Sequence, residues 1–105
     1  MDQLPRSRPV ITRNTYAILV ALSAGEQTGR ELQQHIVGDG VGHYVRDSII
    51  YATLHRLVDM GLVEEDRNYY WLTDRGWVTL KAETRVLEAL VGHAKQRVVG
   101  SGHGR

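Results

Sequence analysis

Residues 46–73 read RDSIIYATLHRLVDMGLVEEDRNYYWLT, a stretch that leaves few folds open because it sets a helix, an abrupt stop and a tight pair of strands end to end. Ile50, Leu54, Leu57 and Val58 recur at the spacing of one buried helical face. The opposite face carries Ser48, Tyr51, His55, Arg56 and Asp59, side chains that hydrogen-bond, stack or pair with phosphate. Gly61 supplies the positive φ that ends the helix, and Leu62 follows where a Schellman stop places its hydrophobic contact. The chain then runs through Leu62, Val63, Glu64 and Glu65, turns at Asp66, Arg67 and Asn68, and returns through Tyr69, Tyr70, Trp71 and Leu72. Two short runs so close together predict a β-hairpin. Tyr69, Tyr70 and Trp71 alternate across the returning strand, so at least one of them faces the core.

Upstream, residues 1–11 read as a flexible basic arm, because two prolines and scattered polar residues offer nothing to bury. Arg6, Arg8 and Arg13 supply the charge in and beside it. Thr12 or Asn14 caps a first helix through Tyr16, Ile18, Leu19 and Leu22, which Gly25 ends. Thr28 and Glu31 then form a capping-box pattern, so a second helix starts at Thr28 and runs through Leu32 and Ile36 to Gly38. Residues 38–46 hold three glycines without apolar period and read as the loop into helix three, capped by Asp47 or Ser48.

After the hairpin, Thr73 caps a fourth helix, with Asp74 in its first turn where the helix dipole favours a negative charge. Trp77, Leu80, Thr84, Leu87, Val91, Ala94 and Val98 recur in steps of three and four, with Val86 and Leu90 widening the stripe. That is the seam of a helix packed on another helix. At about 25 residues, or roughly 38 Å, it is longer than a small domain can cover. Leu80, Val86, Leu87, Leu90, Val91 and Val98 are therefore the expected dimer interface, and Trp77 the anchor of the helix on its domain. The fold class is mainly α with a small β-hairpin: a winged helix-turn-helix, followed by a long C-terminal dimerisation helix. Residues 12–73 form the winged domain, 74–99 the dimerisation helix and 100–105 a disordered tail.

This order of elements resembles the PadR family of transcriptional regulators, in particular its short members with a single dimerising helix. The likeness lies in Ala17 to Leu22 (AILVAL), Thr28 to Leu32 (TGREL), Ile50 to Leu57 (IYATLHRL), Gly61 to Val63 (GLV), and the closing YYWLTDRG at 69–76, which matches the family's Tyr-Tyr-x-Leu-Thr-x-x-Gly pattern. The resemblance implies a homodimer on double-stranded DNA, acting as a repressor at a pseudo-palindromic operator. It also leaves room for a small-molecule effector of unspecified identity.

With helix three in the major groove, Ser48, Tyr51, His55 and Arg56 are the candidate DNA contacts, Arg56 because a guanidinium forks onto guanine or binds phosphate. Arg46 and Arg13 flank them as candidate phosphate contacts, and Arg67 at the wing tip is placed to reach the minor groove. A solvated face, with Tyr51 packed on its own domain, is the alternative at these positions.

The net charge of +1 by itself says little about nucleic acid, so the placement of charge carries the argument. Without cysteine there is neither a disulfide framework nor a thiolate metal site, and a reducing cytoplasm fits. His35, His43, His55, His93 and His103 lack metal-ligand spacing, so neither metal nor cofactor is expected and no enzyme chemistry stands out. No apolar run is long enough for a membrane span. The rival reading is a winged-helix protein-interaction module without specific DNA binding, in keeping with the acidic Glu64 to Asp66 run.

Overall fold

The computed structural model describes residues 10–38 and 47–103. The expected loop, Arg46 and nearly all of the expected arm lie outside them. Among the described residues the order is α1 (Arg13–Leu22), β1 (Gln27–Thr28), α2 (Gly29–Gly38), α3 (Asp47–Asp59), β2 (Val63–Asp66), β3 (Tyr69–Leu72) and α4 (Asp74–His103).

Thr12, not Asn14, caps α1: its hydroxyl accepts from the Thr15 amide at 3.2 Å. The capping box of α2 closes in both directions, with Thr28 N–H donating to Glu31 Oε1 at 2.9 Å and Glu31 N–H donating to Thr28 Oγ1 at 3.1 Å. Asp47 already lies inside α3. That helix stops as its sequence demands. Gly61 takes φ +78°, its amide donates to the Val58 carbonyl at 3.0 Å, and the Leu62 amide reaches back to Leu57 at 3.0 Å. Those are the two bonds of the Schellman motif, and Leu57 and Leu62 are both buried beside them.

The sheet has three strands rather than the two of a bare hairpin. β3 lies between β1 and β2, antiparallel to both, with Gln27 opposite Tyr70 and Val63 opposite Leu72. Two residues are too few to show a period, so β1 left no pattern in the sequence. Its Gln27 is buried, and the side-chain amide donates to the carbonyls of Ala21 and Gly25 at 2.6 and 3.2 Å, bracing the turn after α1. The β2–β3 turn consists of Arg67 and Asn68 alone, both at positive φ (51° and 73°), while Asp66 already pairs with Tyr69. Two positive φ values in a two-residue loop are the signature of a type I′ turn, whose twist matches that of the strands.

Ile18, Leu19 and Leu22 of α1, Leu32 and Ile36 of α2, Ile50, Leu54 and Leu57 of α3, and Leu62, Val63, Tyr70 and Leu72 around the sheet form one core. Tyr70 is thus the aromatic that faces inward. Fully burying an aliphatic side chain contributes about 1.5–3 kcal/mol, which makes this cluster the main source of stability in so short a chain.

A dense joint ties α4 to this core. Thr73 Oγ1 donates to the Gly61 carbonyl at 2.7 Å and accepts from the Gly76 amide at 3.0 Å, while the Thr73 amide donates to Leu62 O at 3.1 Å. A Cβ on Gly76 would overlap the Leu62 carbonyl oxygen, so only glycine fits. Farther along, Thr84 Oγ1 lies 2.7 Å from the Tyr16 hydroxyl and donates to the Leu80 carbonyl at 2.8 Å, linking α4 to α1.

Three expectations need correction. Leu80, assigned to the dimer seam, is 7% exposed and belongs to the protomer's own core. A helical period shows that a face is covered, not which helix covers it. The helix also continues to His103, past the expected end at residue 99. Once nucleated, a helix extends at little cost, and each glycine adds only about 1 kcal/mol. Nor is Trp77 a buried anchor: it is 40% exposed, and Thr73, Gly76 and Leu80 hold the helix instead.

Candidate nucleic-acid interface

With Ile50, Thr53, Leu54 and Leu57 of α3 turned into the core, Tyr51, Ala52, His55, Arg56 and Asp59 are left on one exposed face. Three of the expected contacts, Tyr51, His55 and Arg56, therefore share a surface. Ser48 is the second residue of the same helix, and Arg46 lies outside the described residues. Arg56 sits in the last turn of α3, toward the wing end of the face. Ala52 was not anticipated. Its methyl group stands in the middle of this polar stripe, where it can meet a thymine methyl.

Tyr51 is 42% exposed, and its ring leans on the start of α2. A Cβ at Gly29 would stand 2.5 Å from the ring, so the ring keeps this seat only against glycine and would swing aside from a larger residue. The ring packs on its own domain, and one side of it remains open.

Beside Tyr51 opens a cleft of about 440 Å³, lined by Thr28, Gly29, Arg30, Tyr51, Asn68 and Tyr70. The start of α2, the face of α3 and the wing turn thus meet at one place. Thr28, Arg30 and Asn68 are not among the contacts expected from the sequence. The capping box was the available signal, because it locates the start of a helix, where unsatisfied amides favour an anion. Burial is the main cause that holds the Tyr70 phenol above its ordinary pKa, with smaller contributions from the Glu65 carboxylate and Tyr51.

Arg67 is exposed in the wing turn, next to the cleft residue Asn68. Arg13 is exposed at the first position of α1 and does not line the cleft. Glu64, Glu65 and Asp66 are exposed along β2, so the wing carries negative charge close to its one arginine. No group of three or more histidine or acidic side chains among the described residues is arranged to hold a metal. Nor is any helix among them long and apolar enough to cross a membrane.

Along α4, Val86, Leu90, Val91, Val98 and Val99 are exposed, and Leu87 is partly covered. Leu90 and Val91 show 57% and 50% of their surface. This is an apolar strip without a partner inside the protomer.

Comparison with solved structures places the chain near one described as a transcriptional regulator from Clostridium thermocellum. The two share 18% sequence identity with a TM-score of 0.66, over 83% of this chain and 97% of the other. At that identity the likeness concerns the fold, a winged helix with a long C-terminal helix. No protein-family model and no curated protein matches the sequence.

Proposed function

We propose that this chain is a DNA-binding transcriptional regulator of the PadR kind, acting in the cytoplasm as a homodimeric repressor on a pseudo-palindromic operator. The exposed face of α3, with Tyr51, Ala52, His55 and Arg56 flanked by the wing turn, is the observation that carries this reading. A recognition helix enters the major groove with such a face. The fold shared with a described transcriptional regulator supports the same direction. In this reading the apolar strip of Val86, Leu87, Leu90, Val91 and Val98 covers its symmetry mate and sets two recognition helices one helical turn of DNA apart. Ser48, Arg46, Arg67 and Arg13 are assigned to the contact as its rim. A small-molecule effector fits the scheme but has no site assigned, and no catalytic role is proposed.

Binding of the chain to its own upstream DNA, followed by fluorescence anisotropy at several salt concentrations, tests the proposal. Sub-micromolar affinity for one fragment, falling with salt and exceeding that for random duplex, is expected. Absence of any preference favours the second reading, a protein-interaction module. That reading draws on the three exposed carboxylates of β2, which repel phosphate.

A further inference from the structure

We propose that the cleft between α2, α3 and the wing turn is a phosphate-binding site, which seats one phosphate of the duplex backbone in each protomer. The proposal depends on the DNA-binding reading only for the source of that phosphate. Its chemistry stands on the cleft itself.

Two independent observations converge there. The first is the start of α2, a ten-residue helix. Its capping box occupies the amides of Thr28 and Glu31, and among the described residues nothing accepts from the Arg30 amide between them. An unsatisfied amide in the first turn, reinforced by the helix dipole, attracts an anion. The second is Tyr70. This residue is only 3% exposed and lines the cleft, yet its hydroxyl has no hydrogen-bond partner among the described residues. A hydroxyl that no described protein group engages, on a residue lining the cleft, is free to donate to a phosphate oxygen seated there. Because burial holds the phenol above its ordinary pKa, it keeps the proton it would donate.

The rest of the lining suits the same ligand. Arg30 is exposed and forms no ion pair among the described residues, leaving its guanidinium to pair with phosphate. Tyr51 and Asn68 bring a hydroxyl and a carboxamide from α3 and the wing. Glu65, opposite Tyr70 in the sheet, opposes an anion, and Arg30 with the helix dipole must outweigh it. A phosphate held between α2 and the wing turn would fix the register of α3 in the groove, since backbone contacts position a protein while base contacts specify it.

Tyr70→Phe removes the hydroxyl and keeps the buried ring. The variant should lose on the order of tenfold or more in duplex affinity, equally for operator and random DNA, with the salt slope unchanged. Arg30→Gln should lower both the affinity and the slope, the latter by about one. Duplexes carrying a single methylphosphonate complete the test. One position per half-site should weaken the wild type clearly more than Tyr70→Phe, which keeps the Arg30 contact but has already lost the hydroxyl's share. If Tyr70→Phe binds like the wild type and responds as strongly to the same methylphosphonates, the site is refuted. If the wild type binds no duplex at all, the DNA reading fails, and inorganic phosphate decides the site. A shift of the Arg30 amide resonance on titration, abolished in Tyr70→Phe, assigns the cleft to free phosphate; no shift overturns the proposal as well.

Discussion

Replacing Thr73 with valine keeps the size and branching of the side chain and removes its hydroxyl from the joint between α3 and α4. That hydroxyl accepts from the Gly76 amide at 3.0 Å and donates to the Gly61 carbonyl at 2.7 Å. Loss of an N-cap costs about 1 kcal/mol. Leaving a half-buried carbonyl facing a methyl group costs about another 1 kcal/mol. The sum is about 2 kcal/mol, and since each kcal/mol lowers the melting temperature of a domain this small by roughly 4–8 °C, a drop on the order of 10 °C is expected. Thermal unfolding followed by circular dichroism, at one fixed protein concentration because dimerisation would add to stability, measures it. Thr73→Ser is the control, since it keeps both hydrogen bonds and should stay within about 1 kcal/mol of the wild type. If valine and serine melt together, the joint is held by packing and backbone contacts, and the hydroxyl contributes nothing.

Arg56→Ala should weaken operator binding by about 1–3 kcal/mol with almost no change in melting, because the side chain is exposed and free of partners among the described residues; an unchanged affinity by anisotropy would remove it from the interface. Leu90→Asp should leave the protomer folded, since Leu90 is exposed within it, yet cost several kcal/mol at an interface that desolvates the carboxylate. Sedimentation should then show a folded monomer, and a dimer of unchanged affinity would move the interface elsewhere. For Tyr70 the sign of the pH effect is fixed: an acid with a raised folded pKa still holds its proton where the unfolded chain has lost it. Stability should therefore decline as pH climbs past the ordinary tyrosine value of 10.0, and less steeply in Tyr70→Phe when followed by denaturant melts.

Local chemistry made much of the fold legible before any coordinates. Thr28 with Glu31, Gly61 with Leu62, and Thr73 each act within a few residues of themselves, so their motifs announce helix ends directly. What the sequence hid is non-local. The pairing of Gln27 with Tyr70 spans most of the winged domain, and two residues carry no period. Leu80 has the same spacing as the seam beyond it, and only the packing of α4 on α1 separates core from strip. For the candidate interface, the exposed face of α3 could be read from a helical wheel. The cleft could not, because Arg30, Tyr51, Asn68 and Tyr70 belong to four different elements.

The joint at Thr73 and Gly76 also sets an angle. From it α4 extends 30 residues, roughly 45 Å at 1.5 Å per residue, and most of that length has no support from its own domain. A helix fixed at one end behaves as a lever, so a tilt of about 5° at the joint moves the far end by roughly 4 Å over that length. Between two protomers joined along their levers, such a tilt would alter the distance between recognition helices by a similar amount, about the rise of one base pair. The close approach of Gly76 to the Leu62 carbonyl thus sets where that lever starts. In the proposed dimer, the half-site spacing it can read would be decided by a carbonyl of Leu62 lying against a glycine, far from any base.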